Sequence, residues 1–382
     1  MRILLICDHF PTYGTKSVWS LAAALTRRGH EVAFASTSVG IRGETLSRID
    51  APFEVVRFPS IAIPHAPYTY TPQARRHLVL LADRFQPDIV HTQFMIYWLS
   101  LASSALCGQG RPLVLTLHGF TLPSEPSGSA GRLALRALYG TMGAKLVGNA
   151  SAIICVSEEV RAKMAVVYPR STARARVLPI GIDPIFLDTT KTASREYIRS
   201  QAHLEGKRAF VFLGRVVQDK GIAELAEAFR VLRQKRTDVS LLVVGDGSGV
   251  PVMKRILRDV PDVHFFGFRS DVGNYLSAAD VMVLPSYREG FSTALLEAMY
   301  FRLPFVATPV GSAHDLVRCG ARGALVKAKD TVDLLDGMIQ LADIDPQELA
   351  SWGDQNWRLT MQRFTWDSIV DGLLAVYQEV LY

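Results

Sequence analysis

Short apolar runs alternate with helical periods along the whole chain, and that alternation restricts it to parallel sheets covered by helices. In the first half the strand-like runs lie at about residues 2–7, 31–36, 53–58, 88–92, 112–117 and 152–156. Helical periods fill the intervals near 16–28, 72–85, 96–107, 131–148 and 157–168. Gly29-His30 ends the first helix and turns the chain into the second strand, which completes a strand–helix–strand unit. A turn-rich junction, Leu178-Pro-Ile-Gly-Ile-Asp-Pro184, closes the series. Strand-like runs resume at about 209–213, 239–244, 263–266, 281–284, 304–307 and 324–326. A chain of 382 residues is also too long for one typical core. The expectation is two Rossmann-like α/β domains, 1–185 and 190–365, with a linker near 180–192.

Within the second series, Pro285 to Met299 (PSYREGFSTALLEAM) follows the strand Val281–Leu284. Glu289-Gly290-Phe291 reads as a turn, and Ser292 or Thr293 can cap a helix whose apolar side carries Leu295, Leu296, Ala298 and Met299. Free backbone N–H groups and a positive dipole end at such a junction favour a phosphate. Glu289 lies just before that anion site and Glu297 lies one turn inside the helix. Carboxylates placed there accept hydrogen bonds from hydroxyls flanking the phosphate, and a sugar on one side with a ribose on the other meets that demand. A second segment fits the first. The strand Phe210–Leu213 leads into Gly214-Arg215, then Lys220-Gly221 and an amphipathic helix from Ile222 to Arg233. Arg215 and Lys220 leave the strand end separately, so the two can clamp a diphosphate. A cation at a helix N-terminus opposes the dipole, so stability explains Lys220 poorly.

Together, GRVVQDKG and the E-x7-E spacing within EGFSTALLEAM resemble the retaining glycosyltransferases of family 4, which have the GT-B fold. The resemblance runs over most of the chain and is densest from residue 205 to 320. It implies two domains facing a cleft, with the terminal helix at about 366–382 crossing back to the first. It further implies transfer of a sugar from a UDP- or GDP-sugar to a hydroxyl acceptor with front-face attack, where the leaving phosphate takes the acceptor's proton. Glu289 is then a contact of the donor sugar and Glu297 of the ribose, with Gly290, Phe291, Ser292 and Thr293 at the phosphates. Gly245 in Val244-Gly-Asp-Gly247 and Phe268 after Phe266-Gly267 border the nucleotide base. Gly14 is expected at a phosphate in the first domain, although Tyr13-Gly14-Thr15 stands where the family shows two adjacent glycines. Gly311-Ser312 with Asp315, and Ile180 ahead of Gly-Ile-Asp183, are further departures that leave donor and acceptor identity open.

His118 closes the run Pro112–Leu117, at a carboxyl strand end where open α/β sheets bind ligands. The family's matching histidine lies by donor sugar and acceptor; a histidine bonded to a loop carbonyl is the bland alternative. His91 ends the preceding strand, where support of the cleft is an equal reading, and the role of His9 is open. The expected catalytic set is His118, Arg215, Lys220 and Glu289. No metal or cofactor is expected, because no Asp-x-Asp pair stands where a diphosphate would sit and the two cations with helix amides supply the charge.

Charge narrows the acceptor side. Residues 1–190 carry 19 Lys+Arg against 12 Asp+Glu, a balance of +7, while 191–382 carry 23 against 24, or −1. An anionic or lipid-linked acceptor, or a peripheral contact with an anionic bilayer, suits the basic half; a merely solvated Arg-rich surface fits as well. The stretch Gly131–Val147, with Arg132, Arg136 and Lys145, is the candidate bilayer face, though docking on its own sheet is the stronger reading. Pro123–Ser129, just ahead of it, reads as a loop on the acceptor side. Nucleic acid is not expected, because the basic residues are dispersed without interleaved aromatics. The first apolar run is broken by Asp8 and is too short for a signal peptide, and no run reaches the ~20 residues of a spanning helix. The four scattered cysteines lack a CxxC pair and read as buried thiols, which points to a cytoplasmic protein, free or at the inner membrane face. Two readings compete: a GT-B sugar-nucleotide epimerase or hydrolase using carboxylates such as Asp8, and a sugar-nucleotide-binding protein without turnover. A dehydrogenase is disfavoured, since no GxGxxG follows the first strand.

Overall fold

A computed structural model describes residues 1–8, 16–39, 51–63, 69–95, 97–107, 110–120, 137 and 139–382. The chain divides into two compact units, the first made of Met1–Gly181 with Trp366–Tyr382 and the second of Ile182–Thr365. Gly14, His9, Pro123–Ser129, Arg132 and Arg136 lie outside the described residues.

The first unit contains β1 (Arg2–Ile6), β2 (Glu31–Thr37), β3 (Glu54–Phe58), β4 (Ile61–Ala62), β5 (Thr69–Tyr70), β6 (Ile89–Gln93), β7 (Leu113–Leu117), β8 (Ala152–Cys155) and β9 (Ala175–Val177). Seven of them form one sheet in the order β3-β2-β1-β6-β7-β8-β9, parallel throughout, while β4 and β5 pair as a short antiparallel hairpin. Ile3 to Ile6 of the central β1 are fully buried, as a strand covered on both faces requires. The helix Trp366–Leu381 packs on the helix Lys16–Arg27, with Arg28 donating to Asp371 at 2.5 Å and Arg27 to Asp367 at 3.4 Å. Its Tyr377 is fully buried.

The second unit contains β10 (Arg208–Leu213), β11 (Val239–Val244), β12 (Val263–Gly267), β13 (Val281–Leu284), β14 (Phe305–Ala307) and β15 (Gly323–Leu325). They form one parallel sheet in the order β12-β11-β10-β13-β14-β15, so the order reverses at β10 and β13. Both elements singled out in the sequence leave the sheet at that switch point, where open α/β sheets bind ligands. Phe210, Phe212, Phe229 and Phe305 are fully buried in its core. Asp280, just before β13, accepts from Arg195, Arg199 and the Ala209 amide at 2.5, 3.3 and 2.7 Å, which ties the helix Arg195–Gln201 to the two switch-point strands.

Local structure departs from the sequence expectation in several places. β9 and the β4–β5 hairpin were not anticipated. The linker near 180–192 is partly helical, since Pro184–Thr189 is a helix capped by Asp183, whose carboxylate accepts from the Ile185 and Phe186 amides. The helix expected over 131–148 is described from Tyr139 as a π turn to Gly143 followed by α-helix over Ala144–Asn149.

Candidate active site

In the second unit the loops after β10, β11 and β13 approach one another closely where glycines let them. Gly221 sits at φ +65°, and a Cβ there would meet the Pro285 carbonyl oxygen at 2.1 Å. Gly245, at φ +139°, is pressed against Gly214, whose carbonyl oxygen would lie 1.8 Å from an added Cβ. The Tyr287 amide donates to the Asp219 carbonyl at 2.8 Å, which joins the loop after β13 to the turn Gln218–Lys220 after β10.

That contact brings Lys220 and Glu289 together. Lys220 Nζ lies 2.6 Å from Glu289 Oε1, and the side chains are only 15% and 12% exposed. Ser286, fully buried, donates its hydroxyl to the same Oε1 at 2.8 Å, and Thr308 donates to the Ser286 carbonyl at 2.5 Å. Both bonds to Glu289 fall on one oxygen, and Oε2 takes none among the described residues. Gly311, at φ +59°, lies under this carboxylate, where an added Cβ would stand 2.7 Å from the Glu289 Cβ. Ser312, in place of a second glycine, accepts from the Ser292 amide at 2.9 Å and so fixes the start of the next helix. Ser292 itself is the cap of Thr293–Tyr300, with the Leu295 amide 3.4 Å from its hydroxyl.

The other expected residues occupy separate positions. Arg215 is exposed, and its guanidinium has no hydrogen bond or ion pair among the described residues. Glu297 is half-buried on the capped helix, Gly290 and Phe291 form the turn ahead of it, and Phe268 is 53% exposed just past β12. Among the described residues no group of three or more His, Cys, Asp or Glu side chains is arranged to hold a metal ion.

In the first unit a polar cluster lies at the ends of β6 and β7. Side chains alternate across a strand, so His91 and Gln93 share a face with Thr116 and His118 on the neighbouring strand. His91 Nδ1 lies 2.6 Å from the Tyr377 hydroxyl and its Nε2 lies 2.7 Å from the Thr116 hydroxyl. The Gln93 amide nitrogen is 3.0 Å from His91 Nε2, and its oxygen is 2.6 Å from His118 Nε2. Phe94, held at φ +71°, places its ring 4.4 Å from that of His118. Burial pushes His91 down to about 3 and His118 down to about 4, so both rings are neutral at pH 7. A cavity of about 30 Å³ lies between this cluster and the terminal helix, walled by Trp366, Ile369 and Leu373. That is room for a water or two. Asp8 is wholly occupied elsewhere: it accepts from the Leu99 amide at 2.6 Å, the Ser100 amide at 3.0 Å and the Ser100 hydroxyl at 2.9 Å, capping the helix Trp98–Ser103.

Residues 14–186 match the family described as Glycosyltransferase Family 4, and residues 207–343 match that described as Glycosyl transferases group 1. The two matches, one in each unit, support a glycosyltransferase of the family 4 type. Relatives bear this out at several lengths. The protein TuaC of Bacillus subtilis, named as a teichuronic acid biosynthesis glycosyltransferase, is 33% identical over 60% of this chain, a match that takes in only 55% of its own length. The N-acetyl-alpha-D-glucosaminyl L-malate synthase of Bacillus anthracis is 24% identical over 100% of this chain and 98% of its own. The D-inositol 3-phosphate glycosyltransferase of Gordonia bronchialis is 27% identical over 95% and 83%. Among solved structures, Anabaena HepE in complex with UDP superposes with a TM-score of 0.76 over 99% of this chain and 100% of its own, at 20% identity. WaaG, a glycosyltransferase involved in lipopolysaccharide biosynthesis, gives 0.72 over 98% of each chain at 19% identity. The glycosyltransferase fold is GT-B.

Sequence reasoning missed Ser286, Ser312, Gln93 and Tyr377 as members of these clusters. The signal for Gln93 was present, since polar residues at alternate positions of a buried strand must bond to one another. Nothing local marks Tyr377, which sits within an apolar helical stripe.

Proposed function

We propose that this chain transfers a glycosyl residue from a nucleoside-diphosphate sugar, with UDP or GDP as carrier, to a hydroxyl acceptor with retention and without a bound metal. The observation that carries the proposal is the pair of Lys220 and Glu289 at the switch point, flanked by an uncommitted Arg215 and the capped helix at Ser292. The UDP and UDP-glucose of the Anabaena HepE structures, and the glycosyl transfers named for the relatives, support the donor class.

Arg215, Lys220 and the amides at the start of the Thr293 helix stabilise the charge that builds on the leaving diphosphate. Glu289 keeps Lys220 through Oε1 and offers Oε2 to a hydroxyl of the sugar, so one carboxylate serves both. Glu297 takes the ribose hydroxyls. The bond from the anomeric carbon to the diphosphate oxygen breaks, the acceptor oxygen bonds to that carbon on the same face, and its proton passes to the leaving diphosphate. For His118, the family resemblance implies a role on the acceptor side. The epimerase or hydrolase alternative loses its support, because Asp8 is a buried helix cap. The basic first half favours an acceptor that is anionic or lipid-linked; no described helix is long and apolar enough to cross a membrane.

A screen of nucleotide sugars with the purified protein, read as acceptor-dependent release of the nucleoside diphosphate, tests the proposal. With the active donor, Arg215→Ala and Lys220→Ala should each lower turnover on the order of 10²-fold, as loss of other charge stabilisers does. Activity should persist in excess EDTA. Near-normal turnover in either variant removes that residue from the mechanism, and loss in EDTA restored by magnesium or manganese removes the metal-free assignment.

A further inference from the structure

We propose that Gln93 is a positioning residue that locks His118 into one neutral tautomer, opposite at Nε2 to that of the buried His91. A carboxamide donates only from nitrogen and accepts only at oxygen. One end of the Gln93 amide meets His91 Nε2 at 3.0 Å and the other meets His118 Nε2 at 2.6 Å. Whichever way the amide is turned, one of these two ring nitrogens bears a proton and the other a lone pair. As the amide stands, its nitrogen donates to His91, so His91 carries its proton on Nδ1, facing the Tyr377 hydroxyl at 2.6 Å. Its oxygen accepts from His118, which carries its proton on Nε2. Nδ1 of His118, with no partner among the described residues, is then left as the acceptor of that ring.

Burial makes the lock firm. His91 and Gln93 are each 1% exposed and Tyr377 is 0% exposed, so these bonds are shielded from bulk solvent. Phe94 closes one side of the His118 ring, which limits its rotation away from Gln93. Both rings lose their charge through desolvation, so the choice each makes at pH 7 is between tautomers and not between charge states.

The use of the locked ring in transfer rests on the function proposed above, but the lock itself is read without any activity. Side-chain nitrogen shifts of the full-length protein labelled at histidine, assigned by single substitutions among its nine histidines, report the tautomers. The expected result is a single tautomer for each of the two rings, with Nε2 protonated on one and unprotonated on the other. In Gln93→Leu, His118 should move to tautomer-averaged shifts while His91 keeps its hydrogen bond to Tyr377, which also shows that the unit is folded. Should Gln93→Leu fail to fold, the wild-type spectrum alone decides. An averaged His118 in the wild type, the same Nε2 state in both rings, or an unchanged His118 in Gln93→Leu overturns the proposal. With an active donor in hand, Gln93→Leu should lower kcat about 10-fold, with the donor KM within a factor of a few. A normal kcat beside the expected shifts would detach the lock from catalysis, and that result would overturn the positioning role.

Discussion

Glu289 shows how much a single carboxylate can be asked to do. Its Oε1 accepts from Lys220 and Ser286, and a Gly311 Cβ would intrude on its stem, so its direction is fixed before any ligand arrives. With Glu289 proposed at the sugar and Glu297 at the ribose, the two should separate in binding experiments. Glu297→Gln is expected to weaken the free nucleoside diphosphate and the sugar donor alike, by about 1.5–3 kcal/mol for a lost hydrogen bond to a charged group. Glu289→Gln should act chiefly on the sugar-bearing donor and on turnover. Calorimetry with both ligands checks this, and equal losses of free nucleotide binding would contradict the two roles. At this scale the sequence could single out Arg215, Lys220 and the glutamates as candidates, because a cation at a helix start and an acid in a glycine turn lack a stabilising explanation. The pairing of Lys220 with Glu289 was not legible. It depends on two loops meeting 69 residues apart in sequence, at a close approach to Pro285 that a side chain at Gly221 would block.

Strands were the most readable elements, since a parallel strand buried on both faces is an unbroken apolar run with turn residues behind it. β9 escaped notice because Ala175-Arg-Val177 is a three-residue edge strand with no such run. The Pro184–Thr189 helix was signalled by Asp183-Pro184, a cap followed by proline at the first helical position, within a segment read only as a linker. The paired elements β6 and β7 also predict a pH dependence. An unfolded histidine titrates near 6.5, whereas folded His91 and His118 do so near 3 and 4. Below about 6.5 the unfolded chain therefore binds protons that the folded one does not, and stability falls as pH falls, by about 1.4 kcal/mol per unit for each ring. Asp8 opposes this. Burial raises it from 3.8 to about 6, so the folded state holds its proton first and gains stability on acidification between those values. Two rings against one carboxyl leave a net loss. Denaturant midpoints at pH 7.5 and 5 should show it in the wild type, and the difference should shrink in His91→Asn. An unchanged difference would mean that His91 is not held neutral.

For the whole molecule, the division at Gly181/Ile182 and at Thr365/Trp366 makes the second unit one continuous stretch with its own core, while the first is assembled from two separated pieces. Residues 182–365 expressed alone should fold with a cooperative thermal transition seen by circular dichroism, and a broad, non-cooperative melt would show that the unit depends on the rest. Residues 1–181 alone should be markedly less stable, since they lack the Tyr377 hydroxyl for His91 and the apolar face of Trp366–Leu381. The architecture of two doubly wound sheets was legible from the alternation of runs, and so was the +7 balance of the first half; neither names an acceptor. The split unit also sets an order of events on the ribosome. Translation of the stretch from Ile182 to Thr365 takes on the order of ten to tens of seconds. Throughout that interval the nascent first unit waits with its helix-binding face and the polar pair beneath it uncovered, a target for chaperones or for a neighbouring chain. The half that is born first is the half that is finished last.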